Sequence, residues 1–146
     1  FIANEFSVTK MSTTGKPEYR LSAASMLHFP DDESTEVVEP RAEQRHENAA
    51  PIVISADRGL VSRHGEEASF YGNVVVVREA GRGRNELRMQ TEYLQILPEL
   101  NLARTDKAVV ITEGRSRLAG VGMELNNKTR QFKLLSRVRG SFDAGK

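Results

Sequence analysis

The chain contains no cysteine. That absence excludes a disulfide framework, a thiolate nucleophile and any cysteine-based metal site. It does not choose between an oxidising compartment and the cytosol. Histidine is scarce as well: His28, His46 and His64 sit in three different segments, with no H-x-H or H-E-x-x-H spacing. Asp31-Asp32-Glu33 lacks the alternate spacing of a calcium loop and reads as a solvated turn. No G-x-S-x-G elbow occurs, and Gly81-x-Gly83 and Gly120-x-Gly122 lack the third glycine and the helix of a dinucleotide fingerprint. Glu66 and Glu67, being adjacent, would point to opposite faces of a strand. No catalytic residue, metal or cofactor is expected. An excess of charge is also missing, since 21 Lys+Arg stand against 20 Asp+Glu for a net +1. A general nucleic-acid binder would be markedly basic. No run of 18 apolar residues is present, so nothing in the sequence reads as a membrane-spanning helix, and there is no signal-peptide pattern. The chain opens on Phe1, from which a fragment is expected whose natural N-terminus, with any anchor or signal, has been removed.

What is present is alternation. The 146 residues suit one domain. Hydrophobic residues make up 38%, which fits a thin or open structure better than a thick core. Tyr19, Leu21 and Ala23 alternate with Arg20 and Ser22, and Ile52, Ile54 and Ala56 with Val53 and Ser55. Near the end Phe132, Leu134, Val138 and Phe142 share a face with Ser136 and Gly140, opposite Gln131, Lys133, Leu135, Arg137, Arg139 and Ser141. Such a period of two is the mark of half-buried strands. Turn clusters punctuate them: Pro30-Asp31-Asp32, His64-Gly65, Gly81-Arg82-Gly83 and Asn126-Asn127-Lys128. Asn127-Lys128-Thr129 fits a glycosylation sequon but reads as part of a hairpin turn. Over 87–102, Thr91, Tyr93 and Ile96 favour strand over helix, and Pro98 interrupts. The pattern is that of an all-β sandwich, jelly roll or barrel.

An internal repeat sharpens this. Small residues open four units at Ala23, Ala56, Thr91 and Gly120, spaced by 33, 35 and 29 residues. Each opener is followed at 17 or 18 residues by an anchor in a second strand: Pro40, Val74, Ala108 and Val138. Four stacked two-stranded units follow, with one further strand near Glu5 to Lys10. Repeats of this kind bury a continuous core only against their neighbours, so an elongated double sheet with two open ends is expected.

Read in order, Tyr19-Arg20-Leu21-Ser22-Ala23, His28-Phe29-Pro30-Asp31-Asp32, Glu39-Pro40, Tyr71-Gly72-Asn73-Val74, Thr91-Glu92-Tyr93-Leu94, Thr105-Asp106, Gly120-Val121-Gly122-Met123 and Leu134 to Arg139 resemble the LptC family. The resemblance covers nearly the whole chain. It implies an open, twisted, boat-shaped β-jelly roll over residues 1–143, with 144–146 as a tail. It also implies a periplasmic component of the Gram-negative lipopolysaccharide export bridge, held at the inner membrane by an N-terminal helix that this sequence lacks. Such a protein would be non-enzymatic. It would receive lipopolysaccharide from the inner-membrane ABC transporter and pass it to an LptA-like periplasmic protein. An LptA-like soluble carrier, or a structural or sugar-binding β-domain, is the alternative.

Physics gives the same kind of mechanism. Sheets that splay apart leave an apolar groove, and acyl chains gain about 0.8 kcal/mol per buried CH₂. The lining candidates are Ile54, Phe70, Val74, Val76, Ile111, Phe132, Leu134, Val138 and Phe142; the plain alternative for each is a dry core. Val75 and Val77 leave open which face of 70–77 points inward. Gly72, beside Tyr71, and Gly114 suggest bulges or close approaches, and the resemblance marks Tyr71, Gly72 and Gly114 as sensitive. Unpaired sheet edges invite strand addition. By resemblance the C-terminal strand, with Lys133, Arg137 and Arg139, would meet the LptA-like partner. The N-terminal strand, with Phe6 and Val8, would meet the transporter. The same edges also permit self-association. The basic run Lys128, Arg130, Lys133, Arg137 and Arg139 is either a solvated face or an attraction for lipid phosphates.

Overall fold

The computed structural model describes residues 2–11, 17–44, 51–62, 66–81, 83, 85–97, 100, 102–126, 129 and 131–141; for 2–11 and 17–19 it describes the backbone alone. The strands in chain order are β1 (Ile2–Met11), β2 (Pro17–Phe29), β3 (Ser34–Val38), β4 (Arg41–Gln44), β5 (Ile52–Ser55), β6 (Arg58–Val61), β7 (Ala68–Arg78), β8 (Leu87–Leu97), β9 (Leu102–Glu113), β10 (Ser116–Asn126) and β11 (Gln131–Ser141). Among the described residues they form one antiparallel sheet of eleven strands. The segment 87–97 is strand, as its β-branched and aromatic residues require.

The sheet reads most simply as nine rows. β1 pairs along β2. The other edge of β2 is shared by β4 and β3, which form one row broken at Glu39-Pro40. These pair in turn with β5 and β6, a row broken at Ala56-Asp57. Both halves of that row pair with the single long strand β7. From there β8, β9, β10 and β11 follow in order. The four expected units are therefore β2 with β3–β4, β5–β6 with β7, β8 with β9, and β10 with β11.

The openers and anchors of the repeat lie on, or one residue from, a single line across this sheet. Thr91 is opposite both Val74 and Val109, and Gly120 is also opposite Val109, so that the anchor Ala108 stands one residue off the line. Along this line the ladder is interrupted in β7–β8, β8–β9, β9–β10 and β10–β11. Extra residues at such bulges bend a strand and leave backbone groups that need other partners. The chain supplies them. Asp57 N–H donates to Gly72 O at 2.8 Å, and Glu39 N–H to Asp57 O at 2.8 Å. The Thr91 hydroxyl donates to Ala108 O at 2.9 Å, which explains why this opener is a threonine. Ser136 Oγ donates to Val121 O at 3.2 Å. Glu39, Asn73 and Arg137 take positive φ (51°, 47° and 51°), as does Gly72 at 78°.

The sheet folds on itself along this line. A flat single sheet leaves both faces open, yet Val74 is 0% exposed and Leu94, Val109 and Met123 are 1% exposed. Phe70, Leu94 and Met123 from one side of the line form a single cluster with Val74, Met89 and Val109. The result is a twisted, open β-jelly roll whose core is thin and hugs the fold line. The turn joining β2 to β3 is set by Asp32, whose carboxylate accepts from the Ser34 hydroxyl at 2.7 Å and the Ser34 N–H at 3.0 Å. Those bonds, the hydroxyl first, hold its carboxyl below the usual aspartate range.

Candidate functional site

Cross-strand register shows what lies on the concave face, because residues directly opposite share a face. On one side of the fold line a row runs Leu21, Ala42, Ile54, Val76, Met89, Ile111, Leu118, Gly140. It is apolar across eight rows of strands. On the other side Met26, Val37, Gly59, Phe70 and Leu94 form an inner row, continued by Thr105, Met123 and Leu134; Thr105 is its one polar member and is 4% exposed. Beyond it lies an outer row: His28, Thr35, Val61, Ala68, Ile96, Ala103, Leu125, Phe132. It is polar only at its β2–β3 end, where His28 Nδ1 and Thr35 Oγ1 are hydrogen-bonded at 3.1 Å.

The nine lining candidates fall into distinct places along these rows. Val74 and Phe70 (3% exposed) are closed over by neighbours and form the floor. Ile54, Val76, Ile111 and Leu134 are half-buried and pack against the core cluster. Phe132 and Val138 are 40% and 54% exposed at the last strand. Phe142 lies outside the described residues. The inward face of 70–77 is that of Phe70, Val74 and Val76, which settles the choice against Val75 and Val77.

Tyr71 points outward, 43% exposed, with its ring 5.2 Å from that of Tyr93. Gly72 marks a bulge: the register slips between Tyr71 and Val74. A Cβ there would meet Asp57 Oδ2 at 2.8 Å. Gly114 is not in a strand interior but in the turn joining β9 to β10, at φ 59°, where a Cβ would lie 2.6 Å from Asn85 Nδ2. In β1, Phe6 and Val8 pair with Ala23 and Leu21. Lys133, Arg137 and Arg139 are exposed on β11, which, like β1, has a second edge unpaired among the described residues. Lys128 and Arg130 of the basic run lie outside the described residues.

Several groups on this face are absent from the sequence reading. Leu94, Ile96, Met123 and Leu125 lie beyond bulges that shift the alternation by one residue, so a strict period of two loses them. The polar end of the first side was also missed. One step beyond Ile54, Val76, Met89 and Ile111 the register runs Ile52, Arg78, Leu87, Glu113. Here Arg78 Nη2 donates to Glu113 Oε2 at 2.9 Å, across the intervening β8. Among the described residues no group of three His, Asp or Glu is placed to hold a metal ion, and no helix is long and apolar enough to cross a membrane.

Comparison with known proteins agrees with this geometry. The chain matches the family described as "Lipopolysaccharide-assembly, LptC-related" over residues 1–143. No curated protein sequence matches it. Among solved structures it is similar to LptH of Pseudomonas aeruginosa, described as the LptA-homologous periplasmic component of the lipopolysaccharide transport device. The TM-score is 0.67 at 8% identity, covering 86% of this chain and 94% of that one. At that identity the likeness is one of fold.

Proposed function

The chain belongs to the LptC-related family of lipopolysaccharide-assembly proteins, and on that footing we propose that its concave face carries the acyl chains of lipopolysaccharide during export. The observation that carries this reading is the state of the apolar rows. They run across the sheet and are closed over in its middle, at Val37 (1% exposed), Phe70 (3%), Met89 (6%), Leu94 (1%) and Met123 (1%); yet Ile54, Val76, Ile96, Ile111, Leu125 and Leu134 are only half covered, and the outer row ends in Phe132, 40% exposed. A dry core would close over such rows. A carrier keeps them open, because it must release what it binds. Half a dozen methylenes would contribute about 5 kcal/mol, enough to hold a chain and still let it go.

In this proposal the protein is non-enzymatic. It works in the periplasm, tethered at the inner membrane by a helix N-terminal to this sequence. It receives its cargo from the ABC transporter through the β1 edge and passes it to an LptA-like protein through the β11 edge. The charge distribution supports a distinct partner at β11. Residues 115–146 hold eight Lys and Arg against two Asp and Glu, whereas residues 1–114 hold thirteen against eighteen. Two β11 edges placed together would set like charges side by side, which opposes self-pairing there. The fold likeness to LptH supports a second reading, a soluble bridge component with the same groove.

Site-specific photo-crosslinking in cells tests the groove. A photoreactive residue at Phe132 or Val76 is expected to form lipopolysaccharide adducts, and one at Arg137 is not. A folded protein with working probes and no adduct at any position would leave only a docking scaffold.

A further inference from the structure

The concave face is not the same at its two margins. On the side of Phe132 the outer row is apolar over most of its length. On the other side it ends in Arg78 and Glu113. Arg78 is an unusual residue for that place. Its side chain is 27% exposed, and its Nε is buried with no hydrogen-bond partner among the described residues. A guanidinium carries five N–H donors in a fixed fork. Here Nη2 is spent on Glu113 while Nε is left unpaired. A buried donor without an acceptor is costly, and its depth keeps Nε from a ligand; Nη1 is neither buried nor paired among the described residues and is the donor a bound oxygen can reach.

The surroundings suit such an oxygen. Arg78 and Glu113 line a hollow together with Gly83 and Asn85 from the β7–β8 connection. Gly114, in the neighbouring turn, stands where any side chain would collide with the Asn85 amide. Glycine at 114 therefore leaves Asn85 room beside the hollow. The hollow thus offers N–H donors from Arg78 and Asn85 and a carboxylate acceptor from Glu113. Donors and an acceptor converging at the end of an apolar surface fix the orientation of an amphiphilic ligand. A bare phosphate fits poorly, because Glu113 would face it with like charge. A sugar fits, because its ring and hydroxyl oxygens accept while its hydroxyls donate.

We propose that Arg78, Asn85 and Glu113 form a subsite for a sugar hydroxyl of the lipid head group, so that cargo lies in the groove in one orientation, sugar against this margin and acyl chains toward Phe132. This rests on the groove reading above and adds a polarity to it.

The test is equilibrium binding of three probes to the purified chain: lipid A with its phosphates, dephosphorylated lipid A, which keeps its sugars and acyl chains, and phosphatidylglycerol, which has acyl chains and no sugar. Arg78→Lys keeps the charge opposite Glu113 and removes the second arm of the fork, Nη1; Asn85→Ala removes the amide from an exposed loop. Each is expected to weaken lipid A binding about five- to tenfold and to leave phosphatidylglycerol binding within twofold, with an unchanged melting temperature. Equal losses for both lipids, or none for either, would overturn the subsite. So would a loss that appears only with phosphorylated lipid A, since it would assign the site to phosphate. A wild-type chain that binds neither lipid would instead overturn the groove itself, and the subsite with it.

Discussion

The bulge at Gly72 gives the sharpest test of how the fold line is built. Replacing Gly72 by alanine acts twice. Its φ of 78° lies where a Cβ costs about 1–2 kcal/mol in the backbone alone. That Cβ would also stand 2.8 Å from Asp57 Oδ2 and 3.1 Å from Asp57 Cβ. Turning the carboxylate aside relieves the first contact but not the second. Nor can the backbones part, because Asp57 N–H is bonded to Gly72 O at 2.8 Å. Turning Asp57 would also break its bond from Asn73 Nδ2, 3.0 Å long, worth about 0.5–1 kcal/mol at an exposed position. The sum is about 1.5–3 kcal/mol, to which the remaining contact with Asp57 Cβ adds. Gly83→Ala supplies the control, since Gly83 has φ 66° and, among the described residues, nothing within 4 Å of its Cβ position; it should cost about 1 kcal/mol. Urea unfolding followed by circular dichroism gives both numbers, with equal m-values required before they are compared. If Gly72→Ala costs under about 0.5 kcal/mol, or no more than Gly83→Ala, the steric account of the bulge is wrong.

Other substitutions separate floor, corner and rim. Leu94→Ala, at a site 1% exposed, should lower stability by about 3 kcal/mol, whereas Phe132→Ser, at 40% exposure, should cost under about 1 kcal/mol and show its effect in lipid binding; equal losses of stability would mean that Phe132 is core. Thr91→Val removes the donor to Ala108 O and is expected to cost about 1–2 kcal/mol, with Thr91→Ser close to wild type; a neutral valine would show that the corner does not need this bond. Asp32 has a carboxyl held below the ordinary 3.8 by its Ser34 bonds. Its contribution is therefore full above pH 3.8 and is lost as pH falls through the lower folded value. The difference in urea midpoint between wild type and Asp32→Ala should shrink below that pH, and a difference constant from pH 6 to pH 2.5 contradicts the assignment.

How far this was legible depends on where the alternation holds its phase. β11 keeps one phase, so the face of Phe132, Leu134 and Val138 could be read directly. In β2, β8 and β10 the inward set changes parity at the corner: Leu21 and Ala23 give way to Met26, Met89 and Thr91 to Leu94, and Leu118 and Gly120 to Met123. A period-two reading that runs through such a corner turns the second half of the strand inside out. This is why Leu94 and Met123, among the most buried residues of the chain, escaped it. The repeat survived because its markers are the corner residues themselves. Spacings of 17 and 18 measure the distance from one corner, around the turn, to the next. The Arg78–Glu113 pair left no local signal. Its members are 35 residues apart and meet only across the intervening β8.

The same corner decides how one small chain serves two demands. Apolar surface stabilises the fold only where it is covered, and binds cargo only where it is not. With a sheet folded along a line, covered residues gather near that line and reach further on one side than on the other. Val74, Val109 and Thr91 at the line are sealed, as are Phe70, Leu94 and Met123 one step away on one side; on the other side Val76 and Ile111 are already half-covered, and the two margins carry Phe132 and the Arg78–Glu113 pair. Substitutions should therefore trade effects in a graded way, costing stability near the line and binding near the margins, without a sharp boundary between core and site. The stacking of units repeats that gradient along the sheet, so the groove lengthens with each unit while the core stays equally thin. A partner strand added at β11 would extend both rows beyond Phe132 without any rearrangement of the floor. Growth by strand addition is thus built into the geometry, and the charges on β11 restrict which strand is accepted.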